Sequence, residues 1–299
     1  MGAKLRETRR RIRSIESTKR ITKAMELIAA SRILRAQQRV QQSRPYSQLI
    51  THVIRNVASQ MGELVHPLVH PLLEERAERN AAAVVVVTSD RGFAGAYNSN
   101  VLRTTEELLA RLREQGMEPK IYVTGRKGIS YFRFRDRPVE RAWQGFSELP
   151  SYDDARMVAD VVIEAFLAHD VDEIHLAHTD FVSALVQRPE ARRLVPLVVE
   201  VVAEAPPGPL PLYIFEPDAG SILGEMIPRY VGTRLYTAML EAAASEQAAR
   251  RRAMSAATDN AEELIKILTR IANQARQAEI TQEIMEIVGG AEALAGAEH

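Results

Sequence analysis

The residues of this chain that could carry chemistry lie in a few short stretches, and their spacing limits what they can do. The turn Asp90-Arg91-Gly92-Phe93-Ala94-Gly95 follows the β-branched run Ala81 to Thr88 and precedes a helical stretch from Ser99 to Arg113, where phosphate-binding loops sit. It has neither the three-glycine dinucleotide spacing nor a following Gly-Lys-Ser/Thr. Two glycines serving a tight strand-to-helix turn explain it as well. His175 and His178 lie three apart on an expected strand, so they point to opposite faces and share no metal ion. His66 and His70 each precede a proline, which disfavours the helix that would align them. Asp153 and Asp154 fall at an expected helix start, where the macrodipole favours carboxylates. Asp170 and Asp172 fall in a loop before a strand, and no nucleophile, base and orienting group assemble around either pair. Cysteine is absent, which removes thiolate ligands, thiol nucleophiles and disulfides. The expectation is no catalytic residue, no cofactor, no metal ligand, and a chain that is not by itself an enzyme.

The elements that would position these residues are unusual at the two ends. Neither Gly nor Pro occurs from Ala3 to Arg44 or from Thr233 to Val288. Each run, if helical, is on the order of 60 to 85 Å long, beyond what one globular core can cover, so each needs a partner helix or another protein. The N-terminal stripe reads Ile12, Ile15, Met25, Ile28, Ile33, Ala36 and Val40, interrupted by Thr18, Thr22 and Ser31. Pro45 ends or kinks this helix, and Tyr46, Leu49, Ile50, Val53, Ile54 and Val57 favour continuation to about Gln60. The C-terminal stripe reads Leu235, Met239, Ala242, Glu246, Ala249, Ala253, Ala256 and Ala257, then Leu264, Ile267, Leu268, Ile271, Ala275, Ala278, Ile284 and Ile287. Alanine on that stripe predicts a tight seam from Ala242 to Ala257, with Gly289 and Gly290 ending the helix.

Between the ends, strands at Ala81–Thr88, Lys120–Thr124, Glu173–Ala177 and Leu194–Val202 alternate with helices at 99–113, Arg126–Phe134 and Asp153–Ala168. The last two strands suit a hairpin pair, and Ala205 to Pro211 is a Pro-rich boundary. The expected fold is α/β: a long antiparallel coiled coil of N- and C-terminal helices plus a small central α/β, Rossmann-like domain. Its parts are an N-terminal helix over 1–60, a central domain over 78–200 and a C-terminal helix over 212–299.

Formal net charge is zero, yet residues 1–44 are strongly basic, with Glu7, Glu16 and Glu26 as the only acids. Such a helix suits an acidic protein surface. Its arginines are spread, and no aromatic stacks beside them in the first forty-five positions, which speaks against nucleic acid. An enzyme built on the central domain and a basic coiled-coil nucleic-acid binder remain the alternatives. No apolar run approaches the roughly 20 residues a bilayer-spanning helix needs.

Three segments carry a resemblance. Arg11 to Ser31 (RIRSIESTKRITKAMELIAAS), Thr88 to Asn100 (TSDRGFAGAYNSN), and the stretch from Glu246 through Ala256-Ala257-Thr258-Asp259-Asn260-Ala261 to Arg276-Gln277-Ala278-Glu279-Ile280-Thr281-Gln282-Glu283-Ile284 and Gly289-Gly290-Ala291 resemble the signatures of gamma subunits of F-type ATP synthases, in order and over essentially the whole chain. The resemblance implies a central rotor stalk whose terminal helices run up the hollow of an alpha–beta hexamer. Its α/β domain would sit with the epsilon subunit and the membrane c-ring. Rotation driven by proton flow would then cycle the catalytic beta subunits through ATP synthesis or hydrolysis. It also implies contact with beta at Lys23, Met25, Arg276, Gln277, Thr281 and Glu283, near mobile loops that include an acidic one. Ala94 stands where many relatives have Cys, and the extra cysteine pair of the plant chloroplast form is absent. A bacterial subunit at the cytoplasmic face of the plasma membrane, peripheral and held through the complex, is the expectation.

Overall fold

In a computed structural model of the chain, residues 3–64, 72, 76, 78–197 and 219–296 are described. The elements run α1 (Ala3–Leu64), β1 (Ala81–Val87), α2 (Tyr97–Glu114), β2 (Glu118–Thr124), α3 (Arg126–Phe134), β3 (Arg141–Trp143), α4 (Tyr152–Leu167), β4 (Glu173–Phe181), β5 (Gln187–Val195) and α5 (Ala219–Gly296). Both terminal helices are continuous, α1 through Pro45 and α5 through Pro228. At 1.5 Å per residue they measure about 93 and 117 Å. Gly289 and Gly290 do not end α5, contrary to the sequence expectation. An interior glycine costs only ~1 kcal/mol against alanine, and helix-favouring Ala and Glu follow the pair. His66, His70 and the Pro-rich boundary lie outside the described residues.

Residues 30–250 form one compact unit, and residues 1–29 with 251–299 form another. The first contains a sheet of order β3-β2-β1-β4-β5, parallel except for the antiparallel β4–β5 hairpin. β1 alternates its small and branched side chains between two buried faces. Ala82, Val84 and Val86 pack with Leu108, Leu109 and Leu112 of α2 and Phe132 of α3. Ala83, Val85 and Val87 belong to a second core with Val158, Val162 and Phe166 of α4, Ile50 and Ile54 of α1, and Ile227, Val231 and Leu235 of α5. The terminal helices thus contribute to the core of this unit. α4 starts in a capping box: the Ser151 hydroxyl accepts from the Asp154 amide, and the Asp154 carboxylate accepts from the Ser151 amide.

Two strands differ from expectation. β3 is a three-residue edge piece, too short to show a period. β5 occupies Gln187–Val195 and so begins before the expected Leu194, because an edge strand tolerates Pro189 and the charged Arg188, Glu190, Arg192 and Arg193; residues 198–202 of the expected strand lie outside the described residues.

In the unit of residues 1–29 and 251–299, the inward line of α1 is Leu5, Thr8, Ile12, Ile15, Lys19, Thr22, Glu26 and Ala29, and all are buried or half-buried. On α5 it is Met254, Thr258, Ala261, Ile265, Leu268, Ala272, Ala275 and Glu279. Both lines step by alternating threes and fours, the heptad of a coiled coil. Thr22 and Thr258 hydroxyls meet at 2.8 Å, and Lys19 Nζ donates to Glu262 at 3.0 Å. The partner number falls as the α1 number rises, so the pair is antiparallel. Extending that register sets Ile15 level with Ile265 and Ile12 level with Leu268.

This corrects the phase of the stripe. Ile28 on α1 is exposed, as are Leu264, Ile267, Ile271, Ile284 and Ile287 on α5. Ala256 is exposed and Ala253 and Ala257 are half-buried, while Ala242, Ala243, Ala244 and Ala248 are buried in the other unit. Thr22, read as an interruption, is a seam residue.

Candidate functional site

The loop after β1 is held by its own side chains. Asp90 accepts through Oδ1 from the Arg126 amide (3.1 Å) and through Oδ2 from the amides of Gly145 (2.8 Å) and Ser147 (3.0 Å). The Ser89 amide donates to Asn98 Oδ1 at 3.0 Å. Gly125 has φ +93°, and a Cβ there would stand 2.2 Å from the Thr88 carbonyl oxygen, so only glycine fits. Phe93, at φ +58°, leaves its ring largely exposed. In doubly wound sheets ligands bind outside the strand ends where strand order reverses, here between β1 and β4. That place is taken by α5: Arg250 donates to the Gly92 carbonyl at 3.2 Å, and Ser245 donates to the Thr179 carbonyl at 3.3 Å. Arg250 also pairs with Glu246 at 2.6 Å, and burial pushes the Glu246 carboxyl up against the opposing pull of Arg250. Burial likewise pushes the Tyr97 hydroxyl well up. These groups tie α5 to the loop and form no nucleophile–base pair.

His175, His178 and Asp172, singled out in the sequence, also have structural partners. His175 Nε2 lies 2.7 Å from Glu173, while His178 Nε2 lies 3.4 Å from Glu241 and 3.6 Å from Glu190. Burial alone would raise the Glu173 carboxyl, but hydrogen bonds from His175 and Arg79 and the nearby Arg193 charge hold it down at about 2. Asp172 pairs with Arg76 at 2.7 Å and accepts from the Asn80 and Ala81 amides, which brace the start of β1. Among the described residues no group of three or more His, Cys, Asp or Glu is arranged to hold a metal ion.

What remains is the outer surface of the unit of residues 1–29 and 251–299. Lys23 is exposed and pairs with Glu26 at 3.1 Å, and Met25 is half-buried beside the seam. Arg276, Gln277, Thr281 and Glu283 are exposed, and the Thr281 hydroxyl donates to the Gln277 carbonyl at 2.9 Å. The six do not form one patch. Thr22 is level with Thr258, and Arg276 lies eighteen residues, about 27 Å, further along α5.

Sequence reasoning missed an alignment of the arginines. Arg6, Arg10, Arg13 and Arg20 are exposed, make no ion pair with any described residue, and fall on one stripe opposite the seam. The signal was present: three of them share one heptad position, which shows once the phase of the seam is known. Ile21, Leu27 and Ile28 on α1 and Leu264, Ile267, Ile271, Ile280, Ile284 and Ile287 on α5 are exposed as well. Large apolar side chains interleaved with unpaired cations mark a surface made to be covered by another protein.

Comparison with known proteins decides the family. The sequence model described as ATP synthase matches residues 4–294. The ATP synthase gamma chain of Acidothermus cellulolyticus is 60% identical over 98% of both chains, and that of Frankia casuarinae is 57% identical over 99% of both. The chain belongs to the ATP synthase gamma chain family. Solved structures agree in fold. A chain of the Euglena gracilis mitochondrial ATP synthase, in a structure of its OSCP/F1/c-ring, gives a TM-score of 0.66 at 17% identity, covering 100% of this chain and 97% of that one. One from the central stalk and c-ring of the Tetrahymena thermophila enzyme gives 0.58 at 22%, covering 79% and 99%. For a gamma chain, long terminal helices with outward apolar and basic side chains and a loop stitched together by Asp90 and Arg250 are coherent.

Proposed function

We propose that this gamma chain is the central rotor stalk of a proton-translocating F-type ATP synthase, coupling rotation of a membrane c-ring to the conformational cycle of catalytic beta subunits. The observation that carries the reading is the antiparallel heptad seam, flanked by exposed apolar and unpaired basic side chains, in a chain matched over nearly its whole length by gamma chains. A shaft biases a partner's conformers only through contacts that differ with its orientation. Lys23 and Met25 form one contact region for beta, and Arg276, Gln277, Thr281 and Glu283 form another. The arginine stripe suits an acidic loop of beta. Charge contacts fade beyond about 10 Å at 0.1 M salt, so each grip is local and released as the shaft turns.

The subunit itself is non-catalytic, and ATP turnover belongs to the assembly. Alpha and beta subunits, epsilon and the c-ring are its partners, and it reaches the cytoplasmic face of the plasma membrane only through them. Among the described residues no helix is long and apolar enough to cross a membrane. Co-expression of a tagged copy with alpha and beta tests the reading. It predicts co-purification of a complex with ATPase activity, none of it in the chain alone. Robust hydrolysis by the rigorously purified chain, or failure to capture alpha and beta, would overturn it.

A further inference from the structure

Within residues 30–250, α1, α5 and the loop preceding α4 line a partly open cavity of about 320 Å³. Arg32, Arg35, Ala36 and Arg39 of α1 line one side, spaced to share a helix face. Leu240 and Ala243 of α5, with Leu149 and Pro150, make an apolar lining, and Glu148 is the one carboxylate among these lining residues. Glu148 is already shared: it accepts from Arg32 at 2.7 Å and lies 3.4 Å from Arg91, 3.5 Å from Arg250 and 3.4 Å from Gln247 Nε2. Arg35 and Arg39 make no hydrogen bond or ion pair with any described residue, and Arg39 is half-buried. A guanidinium cannot shed its proton, so a partly desolvated one without an acceptor is costly until an anion arrives.

We propose that this cavity binds a small oxyanion of the phosphate class, held by Arg35 and Arg39 with Arg32 at its edge. A tetrahedral oxyanion presents several oxygens to several guanidinium forks at once. The apolar lining lowers the local dielectric and strengthens each contact. The ligand is either free inorganic phosphate or the phosphate end of a nucleotide. This site is separate from the surface proposed to contact beta and stands or falls apart from it.

The test is a titration of the purified full chain, in chloride buffer at constant ionic strength, with inorganic phosphate and separately with ADP, read by calorimetry and thermal melting. Saturable binding of phosphate identifies the free ion, and saturable binding of ADP alone identifies the nucleotide. In either case Arg35→Ala and Arg39→Ala should each weaken binding at least tenfold, Arg39→Lys should weaken it less, and Arg103→Ala on exposed α2 should leave it unchanged. Circular dichroism checks folding, and if the alanine variants do not fold, Arg39→Lys alone must still weaken binding. No saturable response to either anion, an unchanged affinity in the folded Arg39 variants, or binding of an acidic peptide in place of both would overturn the proposal.

Discussion

Thr22 and Thr258 face each other at 2.8 Å in an otherwise mostly apolar seam; each hydroxyl also lies within hydrogen-bond distance of a carbonyl of its own helix, and with one proton apiece one donates across the seam while the other donates to its carbonyl. Removing one hydroxyl leaves the other buried with its cross-seam partner lost, whereas removing both restores an apolar layer. We therefore expect Thr22→Val or Thr258→Val alone to cost about 1 kcal/mol, and the pair together to cost less than the sum; a thermal-melting double-mutant cycle measures it. Glu173 gives a pH signature. Its folded carboxyl is held at about 2 against an ordinary 4.5, so its stabilisation is fully present above pH 4.5 and is lost as pH falls towards 2. A shift of this size corresponds to roughly 3 kcal/mol. Glu173→Gln should lower stability at neutral pH and flatten the acid limb between pH 4.5 and 2, as followed by denaturant midpoints across that range. At Gly125, a Cβ would meet backbone at 2.2 Å in a φ +93° conformation, so Gly125→Ala should cost at least about 2 kcal/mol in the same measurement.

At the scale of elements, the long helices were legible because Gly and Pro are absent over long runs, and β1 was legible because its valines are buried on both sides. The phase of the α5 stripe was not. Leu264, Ile265, Ile267, Leu268 and Ile271 spread apolar side chains over an arc of about 160°, wider than one seam, so periodicity alone supports more than one buried line. Packing selects Ile265 and Leu268, whose level partners Ile15 and Ile12 were read correctly on α1. The loop Asp90 to Gly95 was legible as a tight turn, yet its tie to Arg250 was not, because that contact joins residues 158 apart. The beta-contact candidates came from motif resemblance and not from any period; they share exposure or half-burial, and no local rule marks them. The corrected phase makes Met254 the seam residue and Ala253 its half-buried neighbour. Met254→Ala should cost about 2 kcal/mol or more, whereas Ala253→Ser should stay within about 0.5 kcal/mol. Helicity and melting of the two variants distinguish the two phases.

At the scale of the whole molecule, the chain devotes its buried charges to tying α5, the loop after β1 and the hairpin together, and leaves arginines and large apolar side chains outward on the terminal helices. That distribution fits a subunit acting through contact, and the proposed account makes the contact at Lys23 and Met25 specific to orientation. A cation at Met25, half-buried on the flank of the seam away from Lys23, adds a grip at one rotary position without removing a seam residue. The decisive measurement compares ATP-driven proton pumping with ATP hydrolysis in membranes carrying Met25→Lys and in wild-type membranes, at equal amounts of assembled complex. The account predicts that pumping falls several-fold further than hydrolysis while assembly is unchanged. Equal loss of both activities through failed assembly, or pumping and hydrolysis both at wild-type levels, would contradict it.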